Sequence, residues 1–410
     1  MPYLLFEDQQ YVNFLPLAYF RPVWELRCGA KTLAEKWQET CRGEIYYSAR
    51  NYLKNNYLQE ERTLDVLDKT EEATWLNGRW LFDSTAATEL SSLTSREALA
   101  RGENLLAFKA SPKEIAAFLD RGVLAADKVL AARKKREIPA RVASFPWDLI
   151  EWNGAEIEAD FKRCRPEKVG SKDHPMMTYL VNPEKICLSS GVSLEPGVVL
   201  DASEGPVWID SGAQIMAQTV IKGPAYIGRD TQIKVGAKIY PDTSIGPVCK
   251  IGGEVEGSII QGYANKQHDG FLGHAYLGAW VNLGADTNNS DLKNNYGEIR
   301  VLLNGRELNT GRQFLGLMMG DHSKCAINTM FNTGTIVGVN CNIFGEGMPP
   351  KFVPSFSWGG AQGLATYNLE KAMAVAETVM NRRKIPFTSK YKKMFLEVKS
   401  LAEELELREN

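Results

Sequence analysis

The sequence predicts an α/β layer domain followed by a parallel β-helix and two terminal helices. Three observations carry this prediction. Ile209, Ile215, Ile221, Ile227, Ile233, Ile239, Ile245 and Ile251 are spaced by six without a slip. Residues 1–160 lack that step and alternate short apolar runs such as YLLFED and NLLAFKA with helical stretches such as SPKEIAAFLDRGV. The last 40 residues carry apolar positions at helical spacing on either side of Pro386.

At 410 residues the expectation is two or three domains. The boundaries read as 1–160, a linker at 161–180, a repeat region at 181–348 with inserted loops at 252–270 and 284–318, and a capping segment with helices at 349–410. A composition of 44% apolar and 24% charged residues with net charge -2 argues against a disordered chain or a nucleic-acid binder. No apolar run approaches the roughly 18 residues of a membrane span. The opening MPYLLFEDQQYV reads as a strand and not a signal peptide. Seven cysteines, with no C-x-x-C pair, fit reduced thiols in a cytoplasmic protein.

An exact sixfold spacing fits neither a helix nor simple alternation. It fits a β-helix in which each hexad supplies one short strand and one corner. Small or slim residues stand four places after each isoleucine, from Ala213 and Thr219 to Cys249 and Val255. Ile186, Val192 and Val198 extend the ladder upstream; Phe271, Leu277, Leu283, Met319, Cys325, Phe331, Val337 and Ile343 extend it downstream. Glycines after ladder residues, among them Gly228, Gly246 and Gly278, are expected to supply corner conformations.

The two interruptions mark loops on one face. The first delivers His268; the second is polar, asparagine-rich and basic in its later half. His268 reads as a surface residue, as a general base for an amine or hydroxyl, or as a metal ligand with His174, His274 or His322. In the α/β part, Arg21, Arg27, Lys31 and Lys36 gather around one glycine and suit either phosphate charge or an ordinary helix entry.

The hexads resemble the left-handed β-helix acyltransferases, and QHDGFLGHAYLGAWVNLGAD is similar to the acetyltransfer segment of the bifunctional uridyltransferase and glucosamine-1-phosphate N-acetyltransferase family. The resemblance places His268 on the family's catalytic histidine, Phe271 on a substrate-binding tyrosine, Asn282 on a sugar-contacting asparagine and Ala285 near an acetyl-CoA contact. It implies a base that deprotonates a sugar amine for attack on the thioester of acetyl-CoA, and a homotrimer. Residues 294–300, NNYGEIR, stand for the family's NYDG segment, which makes Asn295 and Tyr296 sugar-phosphate candidates. A family phosphate lysine appears as Glu256, leaving Lys293, Arg300, Arg306 or Arg312 to recognise phosphate. In residues 320–334, Ala326 and Thr329 are the candidate contacts to the CoA arm.

RPVWELRCGAKTLAEKW, LNGR at 76–79 and FPWDLIEWNG at 145–154 look like a shortened bacterial variant of the same enzyme. The implied first domain is nucleotidyltransferase-like: Arg21, Arg27, Lys36 and Asn77 would meet UTP or another nucleoside triphosphate and a sugar 1-phosphate, with Mg2+ bridging the phosphates. The family's glycine-rich G-x-G-T-R loop is missing, and Asn77 stands near its metal aspartate. The implied function is UDP-N-acetylglucosamine synthesis for the cell envelope. The alternatives are a nucleotidyltransferase with a β-helix scaffold, or a non-catalytic nucleotide-sugar binder.

Overall fold

The computed structural model describes residues 1–41, 43–164 and 177–406; His174 and most of the expected linker lie outside these. The α/β domain is built on β1 (Tyr3–Phe6), β2 (Ile45–Ser48), β3 (Ala73–Asn77), β4 (Glu97–Arg101), β5 (Asn104–Ala110) and β6 (Lys134–Glu137). They lie in the order β6-β4-β5-β3-β1-β2, with β2, β1 and β3 parallel and β5 antiparallel to both its neighbours. The chain leaves β1 for one side and returns to the other for β3. Such a reversal opens a crevice at the carboxyl ends of a Rossmann-like sheet.

Helices α1 (Leu33–Thr40) and α2 (Pro146–Cys164) cover the sheet and meet through Lys36. Thr32 and Glu35 form a capping box that starts α1 at the end of the glycine-bearing segment. Gly29 has φ +81, and a Cβ there would lie 2.6 Å from an Asp160 carboxylate oxygen and 2.8 Å from the backbone of α2. Only glycine permits that approach.

The middle of the chain is the expected left-handed parallel β-helix, about ten turns long. Its three faces hold columns eighteen residues apart: Ile209, Ile227 and Ile245; Ile215, Ile233 and Ile251; Ile221 and Ile239. All eight ladder isoleucines are at most 1% exposed. Burying such columns against one another is what winds the chain, since a hexad has no core of its own. No helix among the described residues is long and apolar enough to cross a membrane, and the seven cysteines form no disulfide among the described residues.

Five expectations are corrected. Upstream, Leu188, Leu194 and Leu200 pair with Ile209, Ile215 and Ile221, so the column runs two residues later than Ile186, Val192 and Val198. Residues two apart on a strand share a face, so both series are apolar. Residues 252–270 are not a loop: Glu254–Glu256, Ile259–Ile260 and Asn265–Lys266 form one shortened coil in register with the coils on either side. Val255, Ile260 and Lys266 take its interior positions, and Leu272 replaces Phe271 in the downstream column, leaving Phe271 facing outward. The glycines at 228 and 246 act through space rather than corner dihedrals, because a Cβ on Gly246 would lie 2.2 Å from the carbonyl oxygen of Gln261 in the next coil. Finally, the solenoid continues beyond residue 348, where Phe352–Val353 and Ser357–Gly360 add strands to two faces.

The second interruption is a true excursion. Its hairpin, Arg300–Leu303 with Arg306–Asn309, leans on the α/β domain, where Asn304 donates to the Val12 carbonyl and Arg312 pairs with Asp148 and Glu151. The asparagines at its root hold the backbone together, since Asn288 and Asn289 accept from the N–H groups of Phe271 and Gly273 and so stand in for a missing strand. Helices α3 (Leu369–Asn381) and α4 (Ser389–Leu405) close the chain, α3 burying Met380 near Trp280 and α4 burying Phe395 beside Phe20 and His322.

Candidate functional site

The corner after strand Asn265–Lys266 presents His268. The imidazole is exposed and lines an open cleft of about 460 Å³ with Gln267, Asp269, Ala285, Asp286 and Lys234. Two glycines, Gly252 and Gly253, floor it, which keeps the wall low. Asp269 and Asp286 place carboxylates in the same cleft. Ala285 is joined to the next coil by a hydrogen bond from Asn328 N–H to its carbonyl, so the 326–329 corner is stacked directly above. There Thr329 turns inward and donates to the Ala326 carbonyl.

Behind the imidazole stands a residue that sequence reasoning missed. Lys266 occupies the aliphatic column above Ile251, is 1% exposed, and donates from Nζ to the carbonyls of Gly252 at 2.9 Å and His268 at 3.1 Å. Burial lowers its pKa to about 8, against the pull of Asp269, Asp286 and Glu254. It broke the ladder pattern and so looked like loop.

Asn282 lies on the face before this corner, accepting from Asn265. Phe271 lies on the face after it, and neither lines the cleft. The loop candidates are not gathered here: Lys293 donates to the Glu298 carbonyl, Arg300 pairs with Glu307, and Asn295, Tyr296 and Arg306 are exposed on the arm that leans on the α/β domain. His274, weighed only as a metal ligand, instead bonds through Nδ1 to Asp291 at 2.7 Å. His322 is buried against Tyr391, and burial pushes its pKa down. No group of three or more metal-ligating side chains occurs among the described residues.

In the α/β domain the expected nucleotide contacts are spent inside the fold. Arg21 pairs with Asp321 of the solenoid, and Arg27 sits over the Tyr226 ring with its N–H bonded to the Tyr276 hydroxyl at 2.7 Å. Lys36 is fully buried between Asp160 at 2.6 Å and Glu156 at 2.8 Å. The segment that looked like a phosphate loop is therefore the joint between the two domains, closed further by Ser244 donating to the Gly29 carbonyl at 2.8 Å.

The crevice at the ends of β1 and β3 holds other residues. Asp8 is gripped by Arg79 through Nε at 3.0 Å and Nη2 at 2.6 Å, and by Asn77 at 2.8 Å. Asp8 and Arg79 edge a cleft of about 760 Å³ with Gln10, Asn13, Glu103 and Asp127. Opposite, Arg50 clamps Glu7 and borders a cleft of about 550 Å³ beneath α4. This donor set does not fit Mg2+, because the carboxylates at the end of β1 are already taken, Asp8 by Arg79 and Asn77, and Glu7 by Arg50.

A Rossmann-like layer is joined to a hexad solenoid, and parts of the chain are similar to known proteins. Residues 3–168 match the family model described as sugar nucleotidyl transferase. The chain is 26% identical over 189 residues to the bifunctional protein GlmU of Synechococcus sp. (strain CC9311), covering 45% of this chain and 37% of that protein. It is 31% identical over 143 residues to a bifunctional sugar-1-phosphate nucleotidylyltransferase/acetyltransferase of Sulfurisphaera tokodaii, covering 34% and 36%. The matches thus span little more than a third of these relatives' length. Among solved structures, an Arabidopsis UDP-N-acetylglucosamine acyltransferase is similar at 14% identity and TM-score 0.24, over 52% of this chain and 79% of that one.

Proposed function

We propose that the chain is a transferase of nucleotide-sugar synthesis, whose solenoid moves the acetyl group of acetyl-CoA onto the amine of an aminosugar phosphate. The observation that carries this reading is the cleft in which His268 stands with Asp269, Asp286 and Ala285. An aminosugar arrives as an ammonium ion, which two carboxylates attract. A protonated amine has no lone pair for an acyl carbon, so His268 takes the proton. The freed amine attacks the thioester carbonyl, the C–S bond breaks, and the CoA thiolate leaves with a proton. Lys266 holds the His268 carbonyl and so fixes the start of the corner. The stacked corner at Ala326 and Thr329 is the proposed path of the CoA arm.

The α/β domain is proposed to handle UTP and the sugar 1-phosphate at the crevice beside Asp8 and Arg79. A second reading, in which this domain binds a nucleotide sugar without forming it, is favoured by the internal pairing of Arg21 and Lys36. In the reading as a whole the protein works in the cytoplasm as a homotrimer supplying the cell envelope. Incubation with acetyl-CoA, glucosamine 1-phosphate, UTP and Mg2+, following CoA and pyrophosphate separately, tests both halves. Thiol release alone supports the solenoid half and discards nucleotidyl transfer; pyrophosphate alone discards the solenoid half.

A further inference from the structure

The outer column of the solenoid face that leads into the His268 corner is cationic. Lys250, Asn265, Asn282 and Lys324 are register neighbours on successive coils, and so stand about 4.8 Å apart. On a regular coil these outward positions meet solvent; here the turn after α3 is laid across them. Arg383 donates from Nη2 to Asn265 Oδ1 at 2.8 Å, and Asn265 passes its amide on to Asn282 Oδ1 at 3.3 Å. Arg383 therefore reaches the coil next to Lys250. The turn is anchored on both sides: Met380 is buried with Ala279 and Trp280, and Tyr391 bonds His322.

This arrangement gathers like charge with no carboxylate in ion-pair contact among the described residues. Among the described residues, Lys234, Lys250, Lys324, Arg382 and Arg383 have no ion-pair partner. The Lys250 ammonium is disfavoured by burial and then by Arg383, Lys234 and Arg382, all of one sign. A fold that packs cations together and leaves them unpaired is complementary to an anion. The candidates on the inserted arm are committed elsewhere, Arg312 to Glu151 and Arg300 to Glu307.

We propose that Lys250, Asn265 and Arg383, flanked by Lys234 and Arg382, form a phosphate-binding subsite on the solenoid face that runs into His268. Arg383 supplies a planar donor fork, Lys250 a point charge, and Asn265 holds the fork in place. Asn265 is three residues from His268, roughly 10 Å of extended chain, so a phosphate here lies within one small substrate's length of the base. The anion site stands on its own; that its ligand is a substrate of the His268 corner rests on the proposed acyl transfer. Two substrates carry the required group, a sugar 1-phosphate and CoA with its 3′-phosphate.

The test is calorimetric binding of glucosamine 1-phosphate, CoA and dephospho-CoA to the full chain and to the Lys250→Gln/Arg383→Gln double variant. At least a tenfold loss of affinity in the double variant is expected for one of the phosphate probes. A loss confined to glucosamine 1-phosphate assigns the sugar phosphate, and a loss for CoA but not dephospho-CoA assigns the 3′-phosphate. Equal binding of every probe by both proteins, or no binding by the wild type, overturns the site. Arg383→Lys keeps the charge but loses the fork, and is expected to bind more weakly than wild type and more tightly than Arg383→Gln; a loss as large as that of Arg383→Gln would mean the arginine only props Asn265, and would also overturn it. Binding is read without turnover, and thiol release from acetyl-CoA by wild type is read separately, so failure of this subsite and failure of the acyl-transfer reading are distinguishable.

Discussion

Lys266→Met is the perturbation with the most specific signature. Lys266 sits in the column between Ile251 and Leu283, and its pKa is lowered from 10.5 to about 8, chiefly by burial. A group whose folded pKa is depressed in this way costs the folded state most below pH 8, and the cost fades as pH rises toward 10.5. For a proton held that much more weakly the cost is about 3 kcal/mol at neutral pH. Methionine removes it and keeps the volume, but forfeits the bonds to the carbonyls of Gly252 and His268, at about 1–3 kcal/mol each. The net change at pH 7 is therefore small. The pH dependence is not: linkage predicts that the methionine variant's stability relative to wild type falls by about 2 kcal/mol between pH 7 and pH 9.5. Cysteines and tyrosines titrate alike in both proteins and drop out of the difference. Urea unfolding of both proteins at the two pH values reads it; a difference that stays constant would refute the claim that a charged amine is held inside the solenoid.

Other expectations follow from single contacts. Ile233→Ala, at a fully buried position of the ladder, should destabilise by about 2–5 kcal/mol in urea unfolding, whereas an exposed neighbour such as Val235→Ala should move it little. Asp321→Ala leaves the buried Arg21 guanidinium without its partner and should cost about 3–5 kcal/mol, read as a lowered thermal midpoint. Arg79→Met should likewise destabilise the α/β domain by freeing Asp8, and should weaken UTP binding in the same sample if the crevice is the nucleotide site.

The solenoid was legible because its period and its packing are the same fact: a six-residue step places every isoleucine in the interior. The reading failed where the step changed. One coil is shortened, and its interior position is held by Lys266, so in sequence this coil resembles a loop and Phe271 a ladder residue. The site was less legible because its pairs are distant in sequence. Arg21 meets Asp321, Lys36 meets Asp160, and Asp8 meets Arg79, so a cluster of cations around Gly29 looked like a phosphate loop when it is a domain joint. Arg383 beside Asn265 carries no local pattern at all. His268 was found through its resemblance to a known segment; spacing alone left it a surface residue, a base or a ligand.

The most direct measurement is the initial rate of thiol release from acetyl-CoA with glucosamine 1-phosphate, for wild type, His268→Ala and His274→Ala. His274 is the sharper control because it already has the oriented Asp291 carboxylate that His268 lacks. The account predicts a loss of about 10²–10⁴-fold for His268→Ala, and a rate within a few-fold of wild type for His274→Ala. A loss that follows His274 while the His268 variant keeps its rate would contradict it.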